Sequence, residues 1–311
     1  MKLSIVVAVY NHERYIEQAI NSILEQNISF SYEVLIADDY STDGSRNILK
    51  NIEKMCPNNY IFIYRDKNIG VEANFKDLYS RMQGEYFIVL EGDDFWIDKN
   101  KLETQLDFLE NHPNYIACCH DTCVVDENGE KLDLVYPSIH KKNYSFRDFE
   151  HGLLPGQTTT IMSRNYFNNK KNDTSLLFKP YYAGDRRRTF MMAVNGKIYH
   201  MNCAMSAYRY VIKSGSSFSA NITETKKTHE ADIEFANNCL EYAYKNKCLS
   251  GEKTASVMLF MSRYSMNRFL NCSSVSSNFS LIKNTKFKWH LFQYLLWFCI
   301  HKICSHKHYV K

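Results

Sequence analysis

Residues 88–96 read Ile-Val-Leu-Glu-Gly-Asp-Asp-Phe-Trp, an apolar run that stops at three carboxylates, Glu91, Asp93 and Asp94. The run is too short for a helix and has the unbroken apolar character of a strand buried on both faces. At the carboxyl end of such a strand, the acids would sit where open α/β sheets bind their ligands. Carboxylates that close cannot all stay ionised without a cation or a set of donors beside them. A hard divalent ion such as Mg2+ or Mn2+ takes oxygen ligands of this kind and also grips substrate phosphates. A polar turn with Asp94 capping the next helix accounts for the same residues, so both readings stay open.

Three further polar clusters follow apolar runs. The first is Val9-Tyr10-Asn11-His12-Glu13, the second runs from Asp38 and Asp39 through Ser41 and Asp43 to Ser45, and the third is Asn68-Ile69-Gly70 with Asn74 beyond it. Asp38 or Asp39 can accept hydrogen bonds from a ribose hydroxyl or a base N–H. Two acids that close an apolar strand need partners, and a helix cap uses only one. Asp43 is read as turn and cap chemistry, with Gly44 tolerating the turn. Tyr10 can stack on a base or pack in the core.

These clusters need a scaffold, and the chain alternates accordingly. Strands are expected at 3–9, 33–37, 61–64 and 86–90, with helices at 14–26, 45–54 and 71–83 between them. That order implies an α/β fold with a mostly parallel sheet, helices on both faces and right-handed crossovers. The four clusters then end successive strands and line one crevice. Beyond Trp96 the spacing predicts a helix at 102–111 and a strand at 115–125. Residues 137–155 read as an irregular loop with a short helix near 146–151. Strands follow at 158–162 and 197–201, with a helix through 190–194. Helices at 228–244 and 253–270 have no strand between them, so we expect a first domain at 1–215 and a helical appendage at 216–311.

The 311 residues are 45% hydrophobic, enough for a large core. A net charge of +4 with no basic stripe over the expected domain argues against nucleic acid as a partner. Ten cysteines without paired C-x-x-C spacing, including Cys118, Cys119 and Cys123 on one strand, read as reduced cytosolic thiols. The first strand begins at once, so no signal peptide is expected. No Ser-His-Asp arrangement, Walker loop or G-x-G-x-x-G fingerprint is visible.

Taken in order, Ser4–Asn11, Asp38–Ser45, Asn68-Ile69-Gly70 and Glu91-Gly92-Asp93-Asp94-Phe95-Trp96 resemble the inverting family 2 glycosyltransferases over about residues 3–215. The resemblance implies the GT-A nucleotide-diphospho-sugar transferase fold. It also implies transfer of a sugar from a nucleotide-diphosphate donor, UDP-linked, to a hydroxyl of a saccharide or lipid-linked acceptor in bacterial surface polysaccharide synthesis. By position, Val9, Tyr10, Asn11, Glu13, Asp38, Asp39, Asn68, Gly70 and Asn74 would form the donor pocket. Glu91-Gly92-Asp93 matches the family's D-x-D motif with Glu in first place, and Asp93 would hold the metal. Asp185, in Tyr182-Ala183-Gly184-Asp185, matches the general base; the other reading makes it a helix N-cap. Arg209 and Lys213 would contact the diphosphate, in a loop where relatives carry a His. Two rivals stay open: a nucleotidyltransferase acting on sugar phosphates, although no Gly-rich basic loop follows the first strand, and a non-catalytic sugar- or nucleotide-binding subunit.

Arg186, Arg187 and Arg188 read by default as a solvated face, or as a phosphate contact. The tail at 286–307 interleaves Trp289, Leu291, Phe292, Leu296 and Ile303 with Lys, His and Gln. Its apolar part is too short to span a bilayer. It reads either as a helix at the cytoplasmic face of the inner membrane or as one packing on the core or on a second subunit of a homodimer.

Overall fold

The computed structural model describes residues 1–168, 172–181, 183–211, 225–272 and 274–304. Its first half follows the expected rhythm: β1 (Leu3–Val9), α1 (Ile16–Leu24), β2 (Tyr32–Asp38), α2 (Ser45–Glu53), β3 (Tyr60–Tyr64), α3 (Val71–Arg81) and β4 (Tyr86–Glu91). Strands β1 to β4 pair in parallel in the order β3-β2-β1-β4. The register sets Val9 beside Asp38 and Ala8 beside Glu91. Three of the polar clusters therefore begin at one level along the same sheet edge.

Both faces of β1, β2 and β4 are covered, which is why their sequences are nearly unbroken apolar runs. Leu3, Ile5 and Val7 point toward α1, α2 and α4 (Lys101–Asn111), where Ile16, Ile20, Leu49 and Leu106 meet them. Val6, Phe87 and Val89 belong to the other face, with Leu78 of α3 and Phe190 of α6 (Gly184–Asn195).

The second half of the sheet is mixed. Beyond β4 it continues through β7 (Met162–Arg164), β6 (Tyr115–Val125), β8 (Lys197–Arg209) and β5 (Phe95–Trp96). β7 runs antiparallel to both β4 and β6, β8 is parallel to β6, and β5 is antiparallel to β8. The strand expected at 158–162 begins later. Thr158–Thr160 instead form a 3-10 turn capped by Gln157, whose side chain accepts from the Thr159 N–H, while Thr160 Oγ1 donates to the Gln157 carbonyl. Threonine hydroxyls and a glutamine in sequence satisfy the turn locally, outweighing β propensity. The strand expected at 197–201 runs on to Arg209 because register shifts near His120 and Asp121 let β8 keep pairing with β6.

α7 (Lys226–Lys245) and α8 (Leu249–Phe269) pack on the sheet side that carries α6. Phe235, Cys239, Tyr242 and Ala255 join the same core as Phe87 and Phe190. The last helices are α9 (Val275–Lys283) and α10 (Lys288–Cys304); the short helix near 146–151 is α5 (Phe146–Glu150). Among the described residues, no helix is long and apolar enough to cross a membrane.

Gly84 lies where the α3–β4 connection passes against β1. A Cβ there would stand 2.5 Å from the Ser4 nitrogen and 2.7 Å from the Leu3 carbonyl carbon, both backbone. Backbone inside a sheet cannot yield as a side-chain tip can. Gly84→Ala should lower the unfolding free energy by about 1–3 kcal/mol, read as a lower urea midpoint with an unchanged slope; a wild-type midpoint would show that β1 shifts freely.

Candidate active site

The acids at the end of β4 are held by very few donors. Gln157 Nε2 donates to Glu91 Oε2 and to Asp94 Oδ2, both at 2.8 Å. The amide cannot turn over, because Gln157 Oε1 accepts from the Thr159 N–H at 2.7 Å and from its hydroxyl at 2.6 Å. Asp94 Oδ1 takes the Arg209 N–H at 2.8 Å, and Asp94 is 1% exposed. Asp94 therefore caps no helix: β5 intervenes, and Asn100 stands at the N-cap of α4. The Asp93 carboxylate makes no hydrogen bond or ion pair with the described residues, and its side chain is partly exposed.

Charge at this edge is poorly compensated. Burial, then the charges of Asp93 and Asp185, push the Glu91 carboxyl up to about 7, while Arg188 pulls the other way. Asp94 is driven well above the usual carboxylate range by burial, Asp93 and Glu91. Gly92 between them is needed for space: a Cβ would stand 2.4 Å from His12 Nδ1, which is buried without a hydrogen-bond partner.

Asp185 lies at the second position of α6, after the N-cap Ala183, so it is not the cap. Its Oδ1 accepts from the Arg186 N–H at 2.7 Å. Its charge is felt at Glu91 and at the buried Tyr136 hydroxyl, which Glu91 and Asp94 also affect. Asp185 thus lies within electrostatic reach of Glu91 although it is far from it in sequence. The expectation of a solvated face at Arg186, Arg187 and Arg188 fails. Arg186 lies 4.6 Å over the Phe149 ring, and Arg187 and Arg188 are each 6% exposed. Arg187 bonds Glu72 at 2.6 Å and the Lys179 carbonyl, joining α6 to the start of α3. Residues 187–192, the middle of a helix packed on two sides, have no face left to solvent.

The polar loops at β1, β2 and β3 knit together. Asp38 is fully buried and paired with Arg46 at 2.6 Å. Asp39 accepts from the Ile69 and Gly70 N–H groups at 2.8 and 2.9 Å, and Asn68 braces this with bonds to the Asp39 carbonyl and the Gly70 N–H. Gly70 has φ 84°, a conformation that favours glycine. Asn11 Oδ1 accepts from the Thr42 N–H at 2.8 Å, and Glu13 Oε2 from the Gly44 N–H at 2.6 Å. Asp43 bonds the Ser45 and Glu13 N–H groups, the turn role expected of it. Val9 is core, and Asn74, 1% exposed, spans Arg65 and the Ala37 carbonyl. Tyr10 and Tyr40, 45% and 46% exposed, present open rings at this edge.

Arg209, expected at a diphosphate, is 3% exposed and already engaged. It donates to the carbonyls of Asp93, Asp126 and Glu127 and to Gln18 Oε1, with its plane 4.4 Å over Tyr15. Lys213 lies outside the described residues. Sequence reasoning missed Gln157, Arg46 and Gln18. Each is a single polar residue in a loop or helix, and only pairing across the fold gives it meaning.

Glycosyl transferase family 2 matches residues 4–171, more than half of the chain, and the chain belongs to that family. Rv1520, an uncharacterized protein of Mycobacterium tuberculosis (strain ATCC 25618 / H37Rv), is 42% identical over 137 residues, 44% of this chain and 39% of that protein. The putative teichuronic acid biosynthesis glycosyltransferase TuaG of Bacillus subtilis (strain 168) is 37% identical over 107 residues, 34% of this chain and 41% of TuaG. The chain thus covers less than half the length of either relative. S. aureus TarS 1-349, solved in complex with UDP-GlcNAc, superposes with a TM-score of 0.64 at 19% identity, over 95% of this chain and 80% of that one. The fold is GT-A, with a helical C-terminal region.

Glu91 ionises near 4.5 in an unfolded chain and near 7 in the fold, so between those values the folded protein holds more protons. Stability should therefore fall as pH rises across that window, by up to roughly 1.4 kcal/mol per pH unit from this group. Urea titrations from about pH 5 to about pH 7 should show a flatter profile for Glu91→Gln than for wild type. Identical slopes would mean Glu91 ionises in the fold as it does in water.

Proposed function

We propose that the chain is a metal-dependent inverting glycosyltransferase, with residues 1–215 as the catalytic unit and 216–311 as a helical support. It would move a sugar from a UDP-linked donor to a hydroxyl of a saccharide or lipid-linked acceptor during bacterial polysaccharide synthesis. The observation that carries the reading is the under-compensated acid cluster at the end of β4, with Asp185 within electrostatic reach of Glu91. Family membership supports the reaction class. That TarS was solved with UDP-GlcNAc and with UDP supports the donor, and the naming of TuaG supports a polymer product.

The residues fit a divalent ion. Among the described residues, no group of three or more His, Cys, Asp or Glu side chains is arranged to hold a metal. Asp93, whose carboxylate has no partner among the described residues, stands next to Glu91 and Asp94 and would hold Mg2+ or Mn2+. Bound there, the ion would offset negative charge on the leaving diphosphate. Gln157 holds Glu91 and Asp94 together, and the Arg209 N–H keeps Asp94 buried. Tyr10 and Tyr40 offer rings to the base, while Asp39 holds the 68–70 loop in shape behind it.

In the transfer, Asp185 takes the proton of the acceptor hydroxyl as that oxygen bonds the anomeric carbon. The bond from that carbon to the diphosphate oxygen breaks on the opposite face, and configuration inverts. Arg187, fixed to Glu72, ties the start of α6 to α3 and so holds Asp185 in position.

Asp93→Asn should abolish most Mn2+-dependent donor hydrolysis and weaken UDP binding while melting as wild type does. Wild-type turnover by this variant in EDTA would overturn the metal assignment. Asp185→Asn should slow transfer about 10²–10⁴-fold with UDP binding intact, measured as product formation against donor affinity. Near-normal transfer would remove Asp185 as the base, and absence of donor hydrolysis by wild type with any nucleotide-sugar would favour a binding subunit.

A further inference from the structure

Among the described residues, the docking of α10 leaves one of its faces without a partner. Leu291, 1% exposed, enters a small cluster with Val257 and Phe260 of α8. His290 Nε2 bonds Glu150 Oε1 at 2.6 Å, Lys286 just before the helix bonds Glu252 at 2.8 Å, and Trp297 stacks on His151 with ring centroids 3.2 Å apart. These contacts fix the rotation of the helix. They turn Trp289, Phe292 and Leu296 outward, at 71%, 55% and 53% exposure. Spacings of three and four residues put the three on a single stripe. An apolar stripe of this kind marks an interaction surface.

Charge selects the occupant. From Lys253 to the end of the sequence there are nine Lys and Arg residues and no Asp or Glu, on a chain whose net charge is only +4. A second copy seated face to face on this stripe would bring two patches of the same positive charge together, Lys283 and Lys288 included, since a two-fold contact uses the same patch of both subunits. An anionic bilayer surface meets both properties at once: it attracts the lysines and accepts a tryptophan and its apolar neighbours at headgroup depth. Contacts at Leu291 and at Trp297 hold the helix to the protein at both ends of the stripe, which stays outside.

We infer that the Trp289–Phe292–Leu296 stripe of α10, flanked by Lys283 and Lys288, is a binding surface for membranes rich in anionic lipid. This rests on the proposed transfer only in that a lipid-linked acceptor would be met there; binding itself needs no catalysis. The test is flotation of the full-length chain with phosphatidylcholine vesicles, alone or mixed with phosphatidylglycerol, with donor hydrolysis assayed in parallel. Wild type should float with the mixed vesicles, bind the neutral ones far less, and lose binding as salt rises. Replacing Trp289, Phe292 and Leu296 together by Ser should weaken binding about tenfold or more, with melting temperature and donor hydrolysis unchanged. Lys283→Gln with Lys288→Gln should weaken binding to the anionic vesicles alone. The inference is overturned if wild type ignores both vesicles, if the triple variant binds as wild type does, or if it instead breaks a dimer seen by sedimentation. Loss of hydrolysis in wild type itself would strike the proposed reaction and leave vesicle binding standing.

Discussion

At the end of β4 the fold gathers more negative charge than its own donors neutralise, and the neighbouring elements are arranged around that excess. Gln157 divides one amide between Glu91 and Asp94, and a single backbone N–H of Arg209 completes Asp94. The orientation of that amide is set by Thr159, whose two donors occupy the Gln157 oxygen. The 3-10 turn at Thr158–Thr160 is therefore part of the acidic edge, and its departure from a strand has a use. Buried carboxylates left in this state are raised toward neutrality, which is a cost to the free protein and an opening for a cation.

Cations near the edge act chiefly as braces. Arg209 at the end of β8 reaches the Asp93 carbonyl, the 126–127 turn and Gln18 of α1, tying both halves of the sheet to one guanidinium. Arg46 holds Asp38, and Arg187 holds α6 to α3. Planar guanidinium groups suit this work because they make several directional bonds at once and stack on rings, as Arg209 does on Tyr15. Asp93 keeps its oxygens uncommitted among the described residues, and Asp185 lies within electrostatic reach of Glu91 beside it.

The helices after β8 complete this arrangement. α7 and α8 supply Phe235, Tyr242 and Ala255 to the core that seats α6, so the position of Asp185 depends on them. α10 is bound to α5 and α8 by His290, Lys286 and Leu291, which leaves its aromatic stripe outside. A common scaffold thus presents the acidic edge on one element and a basic, aromatic face on another.

Much of this was legible in the chain itself. The apolar runs at Leu3–Val9 and Tyr86–Glu91, the helical spacings between them and the order of the four polar clusters determine a parallel half-sheet with its loops at one edge. Local pattern suffices there because a strand covered on both faces and an amphipathic helix each leave a periodic trace. Turn chemistry at Asp43 was equally readable, since its partners are two residues on and in the adjoining loop. Only the tertiary structure decided that Asp38 and Asp39 have different partners, that Arg187 and Arg188 are buried, that Arg209 is a brace and that Gln157 joins two acids. Those outcomes depend on pairs separated by as few as eight residues, as in Asp38 with Arg46, and as many as 191, as in Gln18 with Arg209. A charged or amide side chain looks the same in sequence whether it faces water or a distant partner, because no local period encodes which one it will meet.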